Sequence, residues 1–209
     1  MTIQRGRDWG DYVQRPSGLQ LVADDSKAEE FLDEHLPNAS QPIELAILKS
    51  EVARALGITG PKVENNEMLR TEFDVVEATF KLANHDNLLR RYFLGHAFIR
   101  TSWFRGKCVG VLNSSFVGHR DWAPRAHPND GKIDVVELDE SMSVRQRLAA
   151  YKLMKTGSHL PHPGILYRQL TQYSTDCSNL PILFIHGRRI GFVEICSFRV
   201  VPDAVNLYW

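Results

Sequence analysis

The chain has 209 residues, in which 25 Lys plus Arg are balanced by 25 Asp plus Glu. That length suits one domain, or one domain with a small appendage, and is enough to bury a real core. A net charge of zero supplies no long-range field for nucleic acid or an anionic bilayer, so a charged partner must be met by a local patch.

In chain order, residues 18–23 read as a short strand. Residues 26–35 carry a helix signature, with Ser26 as cap, Ala28, Phe31 and Leu32 inward, and Pro37 beyond the end. An apolar run at 43–48 and a short helix at 50–56 follow, then a break at 57–61 made of two glycines and a proline. We draw a boundary there, giving a small α/β N-terminal segment, residues 1–65, and a second domain, residues 66–209. In the second part the texture changes to alternation, with strands expected at 73–82, 92–101, 107–113, 133–138, 165–173, 181–185, 190–198 and 204–208. The series predicts a mainly β, α+β fold, built as a sandwich or barrel.

One helix interrupts the strands, from Ser141 or Ser143 to Lys155, with Val144, Leu148, Tyr151 and Met154 inward and Gly157 as its stop. Its other face carries Arg145, Arg147, Lys152 and Lys155, read as a solvated face in preference to a contact for a lipid headgroup or bilayer. The first residues hold no apolar signal core, and the run at 182–185 is far too short to span a membrane. The expectation is a soluble cytoplasmic protein without a transmembrane segment, with peripheral membrane contact left open. Cys108, Cys177 and Cys196 make no CxxC pair, so reduced thiols are expected, with Cys108 and Cys196 in the core.

Three strings, taken in order, carry a resemblance. They are Asn113-Ser-Ser-Phe-Val-Gly118, then Ala123-Pro-Arg-Ala-His-Pro-Asn-Asp-Gly131 running into Ile133-Asp-Val-Val136, then Gly157-Ser-His-Leu-Pro-His-Pro163. With the closing Val200-Val-Pro-Asp-Ala204, this order resembles the C-terminal half of bacterial diacylglycerol kinases and related lipid kinases, within the superfamily that includes NAD kinases. The resemblance covers residues 111–209, fades back toward Phe73, and implies that family's β-sandwich. It also implies a magnesium ion at the Asn129-Asp130-Gly131 turn, held by the Asp130 carboxylate and by the carbonyl oxygens of His127 and Lys132. Without any family, an Asp-Gly pair ahead of an apolar strand already favours a tight reversal.

Two parts of the kinase are missing. A phosphoryl-transfer enzyme needs a backbone loop that cradles phosphate, and no Gly-Gly-Asp-Gly-Thr, GxxxxGK[ST] or GxGxxG string occurs. At the segment 47–57, which faintly resembles the region after that loop, Lys49, Ser50 and Glu51 stand where glycines would, and a carboxylate there repels phosphate. The family's Asp-Gly-Glu turn, whose glutamate is the implied general base, is here His186-Gly187-Arg188. A guanidinium cannot accept a proton, so His186 is the only local substitute, and a turn histidine is ordinarily solvated.

Zinc chemistry at His159 and His162, or with His119 and His127, lacks further ligands, and no GxSxG elbow supports acyl transfer. Two function classes remain. The first is a catalytically inactive lipid-kinase-like module, a pseudoenzyme that binds a lipid-like ligand or a protein partner, forms a homodimer, and holds its ligand between the sandwich and the N-terminal part. It takes no nucleotide and no nucleic acid, and magnesium is structural. The second is an ATP-dependent lipid kinase completed by a separate nucleotide-binding subunit.

Overall fold

The structure, a computed structural model, describes residues 10–55 and 67–209. Near the N-terminus, β1 (Asp11–Gln14) precedes a unit of β2 (Gln20–Asp24), α1 (Asp25–His35), β3 (Ile43–Lys49) and α2 (Glu51–Ala55). Then come β4 (Glu67–Leu82), β5 (Leu88–Phe93), β6 (His96–Arg100), β7 (Cys108–Leu112) and the small hairpin β8 (Phe116–Val117) and β9 (Arg120–Asp121). The chain continues through β10 (Ile133–Leu138), α3 (Val144–Leu153), β11 (Ile165–Leu170), β12 (Gln172–Asp176), β13 (Ile182–Ile185) and β14 (Arg188–Tyr208).

The strand β14 joins two layers. Its start pairs with β13, which continues through β6, β7 and β10 to β11, while its remainder pairs antiparallel with β4 and β12 and parallel with β3. Between the layers, Val76, Phe80, Cys196 and Phe198 face Val111, Val135 and Leu183 in one apolar core. This is the expected mainly β sandwich, with 51% strand and 14% helix. Cys108, Cys177 and Cys196 are free and buried.

The N-terminal unit extends the first layer. β3 lies between β14 and β2, all parallel at that edge, and Leu32, Leu45 and Ile47 share a second core with Phe73, Val205 and Trp209. The boundary drawn at 65/66 and the break at 57–61 fall at 56–66, outside the described residues. The strands on either side hydrogen-bond into one sheet.

Several elements differ from expectation for local reasons. Residues 92–101 divide at Leu94-Gly95 into β5 and β6, whereas 190–198 and 204–208 are a single strand with an irregularity between Val201 and Val205, where Asp203 takes φ +50°. Asp24, not Ser26, caps α1, its carboxylate accepting the Lys27 N–H at 3.0 Å. On α3, which opens with a Ser143–Gln146 capping box, the stripe expected inside is partly outside: Val144, Leu148 and Tyr151 are 38%, 44% and 45% exposed. Arg147, Ala150 and Met154 turn inward instead. The buried guanidinium of Arg147 is tolerated because it donates to four backbone carbonyls, those of Met142, Trp103, Gly106 and Asp139.

Candidate functional site

The turn at residues 127–132 is held from below by a residue the sequence did not single out. Asp74, fully buried in β4, accepts the Gly131 N–H at 2.8 Å through Oδ2 and the Asp203 N–H at 2.9 Å through Oδ1, and its own N–H donates to Pro128 O. Burial pushes its carboxyl above the usual range, against the pull of the two N–H groups. Asn113 adds Nδ2 bonds to Asp74 O and Leu94 O. Asp74 thus gathers the 127–131 turn and the closing 200–204 segment at its carboxylate and Asn113 at its backbone carbonyl. Asp130 itself is exposed, with Oδ1 accepting the Lys132 N–H at 3.0 Å, and His127 Nδ1 accepts the Asn129 N–H.

The His186-Gly187-Arg188 turn is a two-residue hairpin with positive φ at His186 (+44°) and Gly187 (+73°), the handedness that a tight hairpin requires. Contrary to expectation, His186 is not solvated: its side chain is 8% exposed and lies against α1. Nδ1 sits 2.9 Å from Glu29 Oε1, off the line of a hydrogen bond, and Arg188 Nη2 donates to Glu29 Oε2 at 2.8 Å. Nε2 abuts the Gly95 backbone so closely that a Cβ there would lie 2.1 Å away, and it has no hydrogen-bond partner. Burial lowers the basicity of this imidazole, but the carboxylates of Glu29, Asp25 and Glu51 together outweigh it and leave the pKa raised. Its neighbour His96, with ring centroids 4.9 Å apart, is pushed down to about 3 by burial and by His186.

A strand-to-helix corner next to this turn is where an α/β sheet ordinarily meets a phosphate. Here the protein's own side chains fill it. Asp25 Oδ2 accepts the Glu51 N–H at 2.6 Å, and Ser50 Oγ accepts the Ala53 N–H at 3.1 Å. Asp25 and Glu29, four residues apart on one face of α1, are both buried. This corner between the N-terminal part and the sandwich is therefore polar and filled by its own side chains, while an open charged groove of about 530 Å³, lined by Glu30, Asp33, Arg91 and Arg188, lies between α1 and the sandwich.

An open cavity lies elsewhere. Under α3, Trp103, Phe104, Val117, Trp122, Leu148 and Tyr151 line an apolar cleft of about 380 Å³. Phe98, Trp103 and Trp122 pack mutually with ring centroids 4.9 to 5.6 Å apart. Three guanidinium groups surround it. Arg147 ties the 103–106 loop to the helix, as above. Arg100 lies between the rings of Trp103 (4.0 Å) and Phe184 (4.1 Å), and Arg120 covers Tyr151 at 4.1 Å. Arg120 Nη1 is shielded from solvent and has no hydrogen-bond partner, and among the described residues none of the three is in an ion pair.

The histidines tested for zinc pack separately. His159 is buried with Nε2 3.1 Å from Trp122 O, His162 Nδ1 accepts the Gly164 N–H, and no group of three or more His, Cys, Asp or Glu among the described residues is placed to hold a metal. The residues missed by sequence reasoning are Asp74, Glu29, Asp25 and Arg120. Only Glu29 left a usable signal, since it shares the inward spacing of Ala28 and Leu32.

No family model and no curated protein matches the chain. Among solved structures, two chains assigned as diacylglycerol kinases from Bacillus anthracis str. Sterne superpose with TM-scores of 0.66 and 0.61, at 12% and 14% identity. The matches cover 92% of this chain and 78% and 76% of those. Yeast NADH kinase, complexed with NADH, superposes at a TM-score of 0.52 and 6% identity, over 92% of this chain and 61% of that one. At such identities the likeness establishes the fold, which is the fold of diacylglycerol kinases and NAD kinases. No helix among the described residues is long and apolar enough to cross a membrane.

Proposed function

We propose that this chain is a non-phosphorylating protein of the lipid kinase fold that binds a lipid-like ligand in the cleft under α3. The observation that carries the reading is the filling of the catalytic corner by Asp25 and Glu29. One carboxylate takes the backbone N–H at the start of α2, and the other takes the two side chains of the former acid–base turn. A nucleotide phosphate would have to displace two buried carboxylates, and His186 Nε2 faces Gly95 instead of a substrate. The cleft under α3 is at the small end of the ~300–1,000 Å³ typical of ligand pockets, which suits one acyl chain or one ring system better than two full chains.

Magnesium has a minor structural place in this reading. The donor set implied by the resemblance, an Asp130 oxygen with the carbonyls of His127 and Lys132, is all oxygen and would suit a hydrated hard cation at this exposed turn. It would screen the turn's charge. The open edges of β2 and β11, each paired on one side only, are available for a homodimer. Completion by a separate nucleotide-binding subunit finds no support in the corner, because α1 already closes it.

The test is native purification followed by organic extraction and mass spectrometry, for the wild type and for Leu148→Arg, which places a charge in the cleft mouth. A stoichiometric acyl-bearing lipid in the wild type, lost in the variant, is the expected result. Copurified ATP or ADP with no lipid would overturn the reading.

A further inference from the structure

Six of the fourteen large apolar side chains exposed among the described residues fall in two short stretches, Trp103 and Phe104 on one, Val144, Leu148, Tyr151 and Leu153 on the other. The two stretches meet at the mouth of the α3 cleft, which Trp103, Phe104, Leu148 and Tyr151 all line. Patches of this kind on a soluble face mark a contact surface. Around them stand exposed cations: Arg105 on the loop, and Arg145, Lys152 and Lys155 on and just after α3. None of these four is in an ion pair among the described residues.

We infer that the face formed by α3 and the 102–106 loop docks on an anionic bilayer. It rests on the proposed function only in making the cleft mouth open toward the membrane. The geometry of α3 carries it. Val144, Leu148 and Tyr151 recur at the spacing of one helical stripe, Lys155 ends that stripe, and Arg145 and Lys152 follow on the next outward row, away from the buried Arg147, Ala150 and Met154. With Trp103 and Phe104 on the loop, these side chains form one exposed apolar patch that can enter the acyl boundary while the long cations beside it reach phosphates. Trp103 and Tyr151 add the amphipathic rings that favour the interface. Arg120, stacked over Tyr151, adds positive charge beside the cleft mouth.

The nearest acids do not cancel the patch. Asp139, Glu140 and the half-buried Asp121 are charged neighbours, but none of them is ion-paired with Arg105, Arg145, Lys152 or Lys155 among the described residues. A second copy of the chain docked through the same face would set Arg145 and Lys152 against the same residues of its twin, so like-charge repulsion disfavours that occupant. The whole chain carries no net charge, and the attraction is therefore local and steeply dependent on salt.

The experiment is cosedimentation with vesicles of phosphatidylcholine alone and of phosphatidylcholine with phosphatidylglycerol, at low and high salt. Binding to the anionic vesicles only, weakened by salt, is expected. The exposed substitutions Arg145→Glu and Lys152→Glu should each reduce partitioning about fivefold or more, and Phe104→Ser should reduce it at unchanged charge. Equal indifference to both vesicle types overturns the proposal, as does a wild-type dimer in sedimentation equilibrium that Phe104→Ser dissociates, which would assign the face to a second copy. Vesicle binding without copurified lipid would remove the ligand reading and leave the docking face. Copurified lipid without vesicle binding would do the reverse.

Discussion

The corner under α1 and the cleft under α3 are built from opposite materials. In the corner, the buried carboxylates of Asp25 and Glu29 meet the buried His186, the half-exposed Arg188 and a backbone N–H. In the cleft, cations stand without acids against an apolar, aromatic wall that is open to solvent. The contrast teaches that one part of a scaffold can satisfy its charges internally, while a second concave surface on the same scaffold keeps guanidinium groups without carboxylate partners.

Breaking the corner should produce the largest effects. Glu29 is 2% exposed and pairs with His186 and Arg188; Arg188 keeps Glu30 at 3.6 Å, but Glu29→Ala leaves the buried His186 without its adjacent acid and should cost about 3–5 kcal/mol in urea unfolding. Gly95→Ala drives a Cβ into His186 Nε2 and should cost about 2 kcal/mol. The double variant Gly95→Ala/His186→Ala should recover much of the Gly95→Ala loss, because the clash has one partner; additive losses in a double-mutant cycle would sink that account.

A smaller effect concerns pH. The folded-state pKa of His186 is raised above the ordinary 6.5, so the stability it contributes is full below about 6.5 and is lost as pH rises through the folded value. His96 has the opposite sign. Its folded value, pushed down to about 3, means that stability falls as pH drops below 6.5. Chemical denaturation from pH 5 to 9 should therefore show the gap between wild type and His186→Ala narrowing on the alkaline side. The smallest effect sharpens the picture of the turn at 127–132. Since Asp74 holds the turn through the Gly131 N–H, Asp130→Ala should change the melting temperature in metal-free buffer by no more than ~0.5 kcal/mol of stability allows. Any stabilisation by magnesium should vanish in that variant.

How far the sequence announced these two regions differs between them. The sandwich was legible because the strand-like apolar runs at 133–138 and 107–113 fold as β10 and β7, in which every residue is buried. The departures from the family's motifs were legible too, as an absent Gly-Gly-Asp-Gly-Thr string and an arginine at 188. What filled the corner was not, because Glu29 and His186 lie 157 positions apart, and a buried acid on an amphipathic helix looks like any solvated one until its partner is placed. α3 misled for a different physical reason. Its apolar spacing pointed Val144, Leu148 and Tyr151 inward, but four backbone carbonyls claimed Arg147, and the helix turned its apolar stripe toward solvent. The exposed stripe is thus a product of a hydrogen-bond network that periodicity cannot register.

The central claim is that the corner no longer accepts a nucleotide. Thermal unfolding with saturating ATP and magnesium, run beside a phosphate-transfer assay on diacylglycerol, tests it most directly. The account predicts a melting temperature unmoved beyond what magnesium alone does, and no transfer. A nucleotide-dependent stabilisation of about 1 kcal/mol or more, with phosphate appearing on the lipid, would contradict it.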